Sequence, residues 1–164
     1  MNKTGTEREA NVGAKVGEIV RGQPVYVVQE SNSVLDAARY MTKYQIGAVP
    51  VLVEGDVVGI ISERDVMIRV VAQGIDPAST KVGEIMTKKV AVLGEDYTYK
   101  DALAIMEQLH IRHLPVMVGR RLVGCVSIRK LREAEAETKE EKIEFLDDCI
   151  EKMENASSGR AKQQ

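Results

Sequence analysis

Aromatic side chains are scarce in this chain of 164 residues: 4% of the total, five Tyr and one Phe, with no Trp. The core must therefore be aliphatic, built from Val, Ile, Leu, Met and Ala. Cysteine is nearly absent as well. Cys125 and Cys149 stand without a paired short spacing, which argues against a disulfide framework. No apolar run approaches the roughly 20 residues that cross a bilayer. The polar N-terminus carries nothing resembling a secretory leader. A cytoplasmic protein with no membrane contact is expected. Basic excess is missing too. The net charge is −2, and residues 132–154 carry ten acidic against four basic side chains. Residues 1–131 carry fifteen acidic and seventeen basic, a balance too weak to predict nucleic acid as a partner. It does not oppose a small anionic ligand.

What the chain does have is a duplication. Lys15-Val16-Gly17-Glu18-Ile19 returns as Lys81-Val82-Gly83-Glu84-Ile85, an offset of 66 (81 − 15). After a one-residue deletion the offset is 65, and Asp36-Ala37, Met41, Ile46, Pro50-Val51, Val58-Gly59, Ser62 and Arg64 all recur in register. Asp65 does not recur, because its counterpart is Lys130. Two copies of one supersecondary unit are implied, neither obviously able to bury its core alone.

Within each copy the pattern reads strand, helix, strand, strand, helix. Val25 to Val28 is a short β-type run. Ser33 with Asp36, and Thr98 with Asp101, have the spacing of a helix N-terminal capping box. Ala48–Val53 and Val57–Ile61, joined at Glu54-Gly55-Asp56, read as a hairpin, and Leu114–Val118 with Leu122–Val126 repeat it. A helix from Glu63 toward Gln73 stops at Gly74. The expected layout is a flexible tail at 1–14, copy one at 15–74, a linker at 75–80 and copy two at 81–131. An acidic amphipathic helix at 132–154 and a disordered tail at 155–164 complete it. Ile143, Leu146, Ile150 and Met153 form an apolar stripe suited to packing on the helix's own domain or on a dimer mate.

The succession Lys81 to Thr87, Ile111-Arg112-His113-Leu114-Pro115-Val116, and Leu122 to Ser127 resembles the cystathionine-β-synthase (CBS) domain family. So does Ile46 to Val51 followed by Val57 to Asp65. The resemblance spans residues 15–131 in both copies. It implies an α+β fold: a stand-alone tandem CBS pair with small sheets, related by a pseudo-twofold axis, plus the C-terminal helix. Two clefts between the copies, an adenine nucleotide or related adenosyl ligand, a homodimer and an unidentified protein partner are implied as well. The ligand is of the AMP, ADP, ATP, NAD or S-adenosylmethionine class.

The residues fit that chemistry. A carboxylate at Asp65 can accept from both ribose hydroxyls. The Ser62 hydroxyl and the amides of the following helical turn suit a phosphate oxygen. The strand around Ala48 and Val49 would offer backbone groups to the adenine edge and apolar surface to its face. By resemblance Arg112 and His113 point to the phosphates, Met86 and Thr87 line the cleft, and Arg64 is counted with the same group. Ser62-Glu63-Arg64-Asp65 is equally a capping box, and the two roles can coexist. Ser127 and Lys130 mark a possible second cleft. A lysine cannot accept a hydrogen bond, so the ribose clamp is absent there and that cleft is expected to be weak or empty. Lys130 is either a solvated lysine or a phosphate contact. His110, His113 and Cys125 do not make a convincing metal set. Phosphate loops, nucleophile elbows and paired catalytic carboxylates are absent, so no enzyme is expected.

Overall fold

The computed structural model describes residues 13–160. Copy one comprises α1 (Val16–Val20), β1 (Val28–Gln29), α2 (Val34–Tyr44), β2 (Ala48–Val53), β3 (Asp56–Ser62) and α3 (Glu63–Arg69). Copy two comprises α4 (Val82–Ile85), β4 (Leu93–Gly94), α5 (Tyr99–Leu109), β5 (His113–Val118), β6 (Arg121–Ser127) and α6 (Ile128–Arg160). Each copy holds one three-stranded mixed sheet, ordered β1-β2-β3 and β4-β5-β6, with a parallel first pair and an antiparallel second. The fold is α+β and duplicated, with a C-terminal helix.

The capping spacings do what local chemistry predicts. Ser33 Oγ accepts from Asp36 N–H at 3.1 Å. Thr98 N–H donates to Asp101 Oδ2 at 2.9 Å while Thr98 Oγ1 accepts from Asp101 N–H at 3.3 Å. The recurrent glutamate of Lys-Val-Gly-Glu has a similar use. Glu18 and Glu84 take the backbone N–H of Lys15 and Lys81 at 3.1 and 2.8 Å, opening α1 and α4. The first hairpin turns at Glu54-Gly55, both at positive φ, as a type I′ connection requires. The second turns at Gly119-Arg120, with only Gly119 there.

The cores are aliphatic, and they are exchanged. Val82, Ile85 and Met86, from the opening of copy two, are buried with Val28, Val34, Val49, Val51 and Ile61 of copy one. Val16 and Val20 are buried with Leu93, Met106, Leu114 and Leu131 of copy two. Each short helix leaves its own repeat to complete the other's core, so the sequence repeat and the packing unit are offset. The repeated glycines permit this. A Cβ on Gly124 would lie 2.7 Å from Val20 Cβ, and one on Gly59 would overlap the Met86 side chain.

Several boundaries differ from the sequence expectation. Strand β1 covers only Val28–Gln29: Pro24 offers no N–H, and Pro24 and Tyr26 line a cleft. Copy one's last helix breaks at Val70, continues as one 3₁₀ turn and stops at Gly74 (φ 64°). Copy two has Glu135 and Lys139 at those positions, so α6 runs unbroken for 33 residues, ~50 Å. It contains the 132–154 stretch, and the backbone of 155–160, expected to be disordered, is helical because nothing before Gly159 interrupts the run. Ala14, placed in the expected flexible tail, is held by its carbonyl accepting from Tyr99 N–H at 3.0 Å. Residues 1–12 and 161–164 lie outside the described residues. Of the apolar stripe, Ile143, Leu146 and Ile150 are about half exposed rather than buried on their own domain, and the Met153 side chain lies outside the described residues.

Candidate functional site

Two cavities open where one copy's strand-to-helix junction faces the other copy. The first, of about 200 Å³, is lined by Ser62, Arg64 and Asp65 from the β3–α3 junction, by Thr87 and Lys89 to Ala91 from the segment after α4, and by His110 to His113 at the start of β5. Ala48 borders it. The second, of about 640 Å³, sets Ser127, Arg129 and Lys130 of the β6–α6 junction against Pro24 and Tyr26 after α1 and Gln45 to Ala48 at the start of β2. Arg112 and His113 reach both. The linings correspond residue by residue through the repeat: Ser62 with Ser127, Asp65 with Lys130, Ala91 with Tyr26, Arg112 with Gly47.

Seven of the nine residues expected at the ligand, Ser62, Arg64, Asp65, Ala48, Thr87, Arg112 and His113, line the first cavity. Val49 and Met86 do not. Val49 follows Ala48 on a strand, so its side chain takes the opposite face and lies fully buried in the core. Met86 is 7% exposed and fills the space over Gly59. Ser127 and Lys130 line the second cavity.

Asp65 is already engaged. Its Oδ2 accepts from Ser62 N–H at 2.9 Å and from Ser62 Oγ at 2.6 Å, and Ser62 Oγ accepts from Asp65 N–H at 3.3 Å. Its Oδ1 lies 3.2 Å from Arg69 Nη2. Arg69 also donates to Thr87 Oγ1 at 3.2 Å and to the Ile85 carbonyl. Sequence reasoning missed Arg69. The signal was present, since an acid followed four residues later by an arginine on a helix places the two side chains together. Arg69 thus ties helix α3 to the start of copy two. Beside it Ile60 and Thr87 exchange backbone bonds at 3.0 and 2.9 Å. Both ties narrow the first cavity. The second has neither. The segment after α1 turns at Gly22 (φ 74°), no bridge joins it to β6 among the described residues, and the counterpart of Arg69 is Ala134.

Also missed were Lys89, Glu63, Tyr26 and Tyr44. The tyrosines had a signal, for three of the chain's five (26, 40 and 44) fall within nineteen residues of copy one. The Tyr26 and Tyr44 ring centroids are 4.7 Å apart, and Tyr40 packs on both.

Burial, and then the Arg112 charge, push the His113 imidazole down to about 4, so the ring is neutral at pH 7 and the fixed positive charge here is that of Arg112 and the lysines. Burial pushes the Cys125 thiol up to about 12, which leaves it unreactive although it borders the second cavity. His110 closes helix α5 in the left-handed conformation (φ 52°). Among the described residues no three His, Cys, Asp or Glu side chains are grouped to hold a metal ion, and no helix is long and apolar enough to cross a membrane.

Comparison with known proteins follows the duplication. The CBS domain family profile matches twice, at residues 16–72 and 82–137, together more than half of the chain. A mitochondrial CBS domain-containing protein of Arabidopsis thaliana, CBSX3, is 33% identical over 125 residues, covering 73% of this chain and 61% of that protein. The chain therefore spans under two thirds of that relative's length. A signal-transduction protein with CBS domains from Burkholderia ambifaria, described as putative in function, superposes with a TM-score of 0.69 at 34% identity, over 73% of this chain and 92% of that one. The CBS domain pair of protein MJ0100, solved with 5′-methylthioadenosine and S-adenosyl-L-methionine, superposes with a TM-score of 0.68 at 27% identity, over 76% of this chain and 97% of that one.

Proposed function

The chain belongs to the CBS domain family as a tandem pair, and from that premise we propose that it is a sensor of an adenosine-containing ligand. The ligand is of the AMP, ADP, ATP, NAD or S-adenosylmethionine class, and it acts as a regulatory ligand with no catalytic turnover. A homodimer in the cytoplasm, and a protein partner that reads the bound state, complete the proposal.

The observation that carries it is the first cleft. A carboxylate, a hydroxyl and three cations (Asp65, Ser62, Arg64, Arg112 and Lys89) line it from both copies. Asp65 suits a ribose diol, Arg112 and Lys89 suit phosphate, and Ala48 and Ala91 leave room for a flat base. At about 200 Å³ the cavity is smaller than the roughly 300 Å³ at which small-molecule pockets begin. Entry therefore demands widening. Arg69 is the tie that yields: a ribose on Asp65 competes for the oxygen that Arg69 holds, and releasing Arg69 frees α3 from Ile85 and Thr87. A ligand moves this equilibrium only by its difference in affinity for the tied and released states. Calorimetric titration of the full chain with the five ligands is the test. One site per chain is expected, weakened at least tenfold in Asp65→Asn. Two equal strong sites, or undiminished binding in Asp65→Ala, would sink the proposal.

A second reading has its own support. Met67 and Val71 on copy one are about two thirds exposed, as is Phe145 on α6. A ligand-independent interaction module working through these faces would hold its partner in Asp65→Ala. It would lose that partner on truncation after Glu140, a cut that spares the buried Leu131 and Ala134.

A further inference from the structure

The second cleft differs from the first in three ways that point to a ligand of different chemistry. It is about three times larger, 640 against 200 Å³. It has an aromatic wall, with Tyr26 and Tyr44 where copy two supplies Ala91 and Leu109. Its helix start carries a cation. Lys130 donates its backbone N–H to Ser127 Oγ at 3.3 Å, the same cap that Ser62 forms, but returns no carboxylate.

Charge in this cleft is largely uncompensated. Among the described residues no carboxylate lies within 4 Å of the Lys130 or Arg112 charged groups, and Arg129 meets Glu133 only at 3.8 Å. Glu63 is the one acidic residue among those lining the cavity, against Arg112, Arg129 and Lys130. The surplus is positive. A ribose with free hydroxyls needs an acceptor at the position that Asp65 occupies in the first cleft, and an ammonium group only donates. A phosphate on the sugar reverses the requirement, since its oxygens accept and its charge seeks a cation. Dinucleotide folds use the same exchange, an acid for the free 2′-hydroxyl and a cation for the 2′-phosphate.

We infer that the second cleft binds a purine nucleotide carrying a phosphate on its ribose, with the base against Tyr26 and Tyr44 and the ribose phosphate at Lys130. The inference rests on reading Asp65 as the ribose acceptor of the first cleft. One chain then carries two sites that tell apart the same nucleotide with and without a sugar phosphate.

The test is calorimetry of the full chain, pairing 3′-phosphoadenosine 5′-phosphate with AMP, and NADP with NAD. At the second cleft, read in the Asp65→Asn chain so that the first cleft does not compete, at least one phosphorylated member should bind tenfold or more tightly than its partner, and the pair that responds tells a 3′- from a 2′-phosphate. That preference should fall at least tenfold in Lys130→Ala and in the length-preserving Lys130→Gln, and invert in Lys130→Asp. Equal affinity within both pairs, no binding of either phosphorylated compound at millimolar concentration, or a preference indifferent to Lys130 would overturn the inference. Failure of all five first-cleft ligands to bind the wild-type chain would instead count against the first-cleft proposal, and the phosphorylated pairs would still be judged on Lys130 alone.

Discussion

The two clefts come from the same repeat positions, 65 residues apart, and differ in charge, width and wall. In the first, Asp65 caps its helix, pairs with Arg69 and lies in a cavity cinched by the Ile60–Thr87 bridge. In the second, Lys130 and Ala134 replace that pair, the bridge is missing among the described residues, and the cavity is wide. Substitution of two residues one helical turn apart removes a clamp and a latch together. Divergence within a duplicated frame thus alters stiffness and chemistry at once.

The comparison can be strained first at the exchanged helices. Gly124→Ala puts a methyl 2.7 Å from the branched Cβ of Val20, which cannot swing aside, whereas Gly59→Ala meets mainly the flexible Met86 side chain. Gly124→Ala should cost about 3 kcal/mol and Gly59→Ala about 1 kcal/mol, read from urea unfolding midpoints. Equal costs would mean that the two interfaces are equally soft.

The next test uses pH, because His113 has the untitratable Ala48 as its counterpart. Folding holds the imidazole near 4 against an ordinary 6.5, so above pH 6.5 both states are neutral and full stability is present. Between pH 6.5 and 4 the unfolded chain takes up a proton that the folded chain refuses, and stability falls as pH drops. With the ring partly open to water, the loss should be about 2 kcal/mol by pH 4, and His113→Asn should remove that share of the slope. A wild-type slope retained in the variant would place the titration elsewhere. The smallest effect is at the helix starts. Asp65→Ala should cost about 1 kcal/mol through its lost cap, and Lys130→Ala close to nothing, by thermal unfolding.

Much of the fold was legible because it is written in short-range chemistry. Ser33, Thr98 and Ser62 announce helix starts through an acid three residues later, and alternating aliphatics announce the hairpins. Seven expected cleft residues lie together because they belong to a few short motifs at strand ends. The side chains of Val49 and Met86 lie outside the first cavity for opposite reasons. Val49 shares a motif with Ala48 but alternation turns it inward, and Met86 is drawn into a neighbour's core by a glycine 27 residues earlier. The C-terminal helix outran its expected limits because it starts directly from the β6 end at Ile128 and no helix breaker precedes Gly159.

By itself, then, the sequence determined the duplication, the element order, the caps and the opposition of Asp65 to Lys130. Each is encoded within a turn of helix or a pair of strands, where hydrogen bonds and side-chain period act locally. Only the tertiary structure decided that α1 and α4 complete each other's copies, that Arg69 occupies the Asp65 carboxylate, and that one cleft is narrow and the other wide. Those outcomes depend on the space left after two distant halves have packed, a quantity that no short stretch of chain contains.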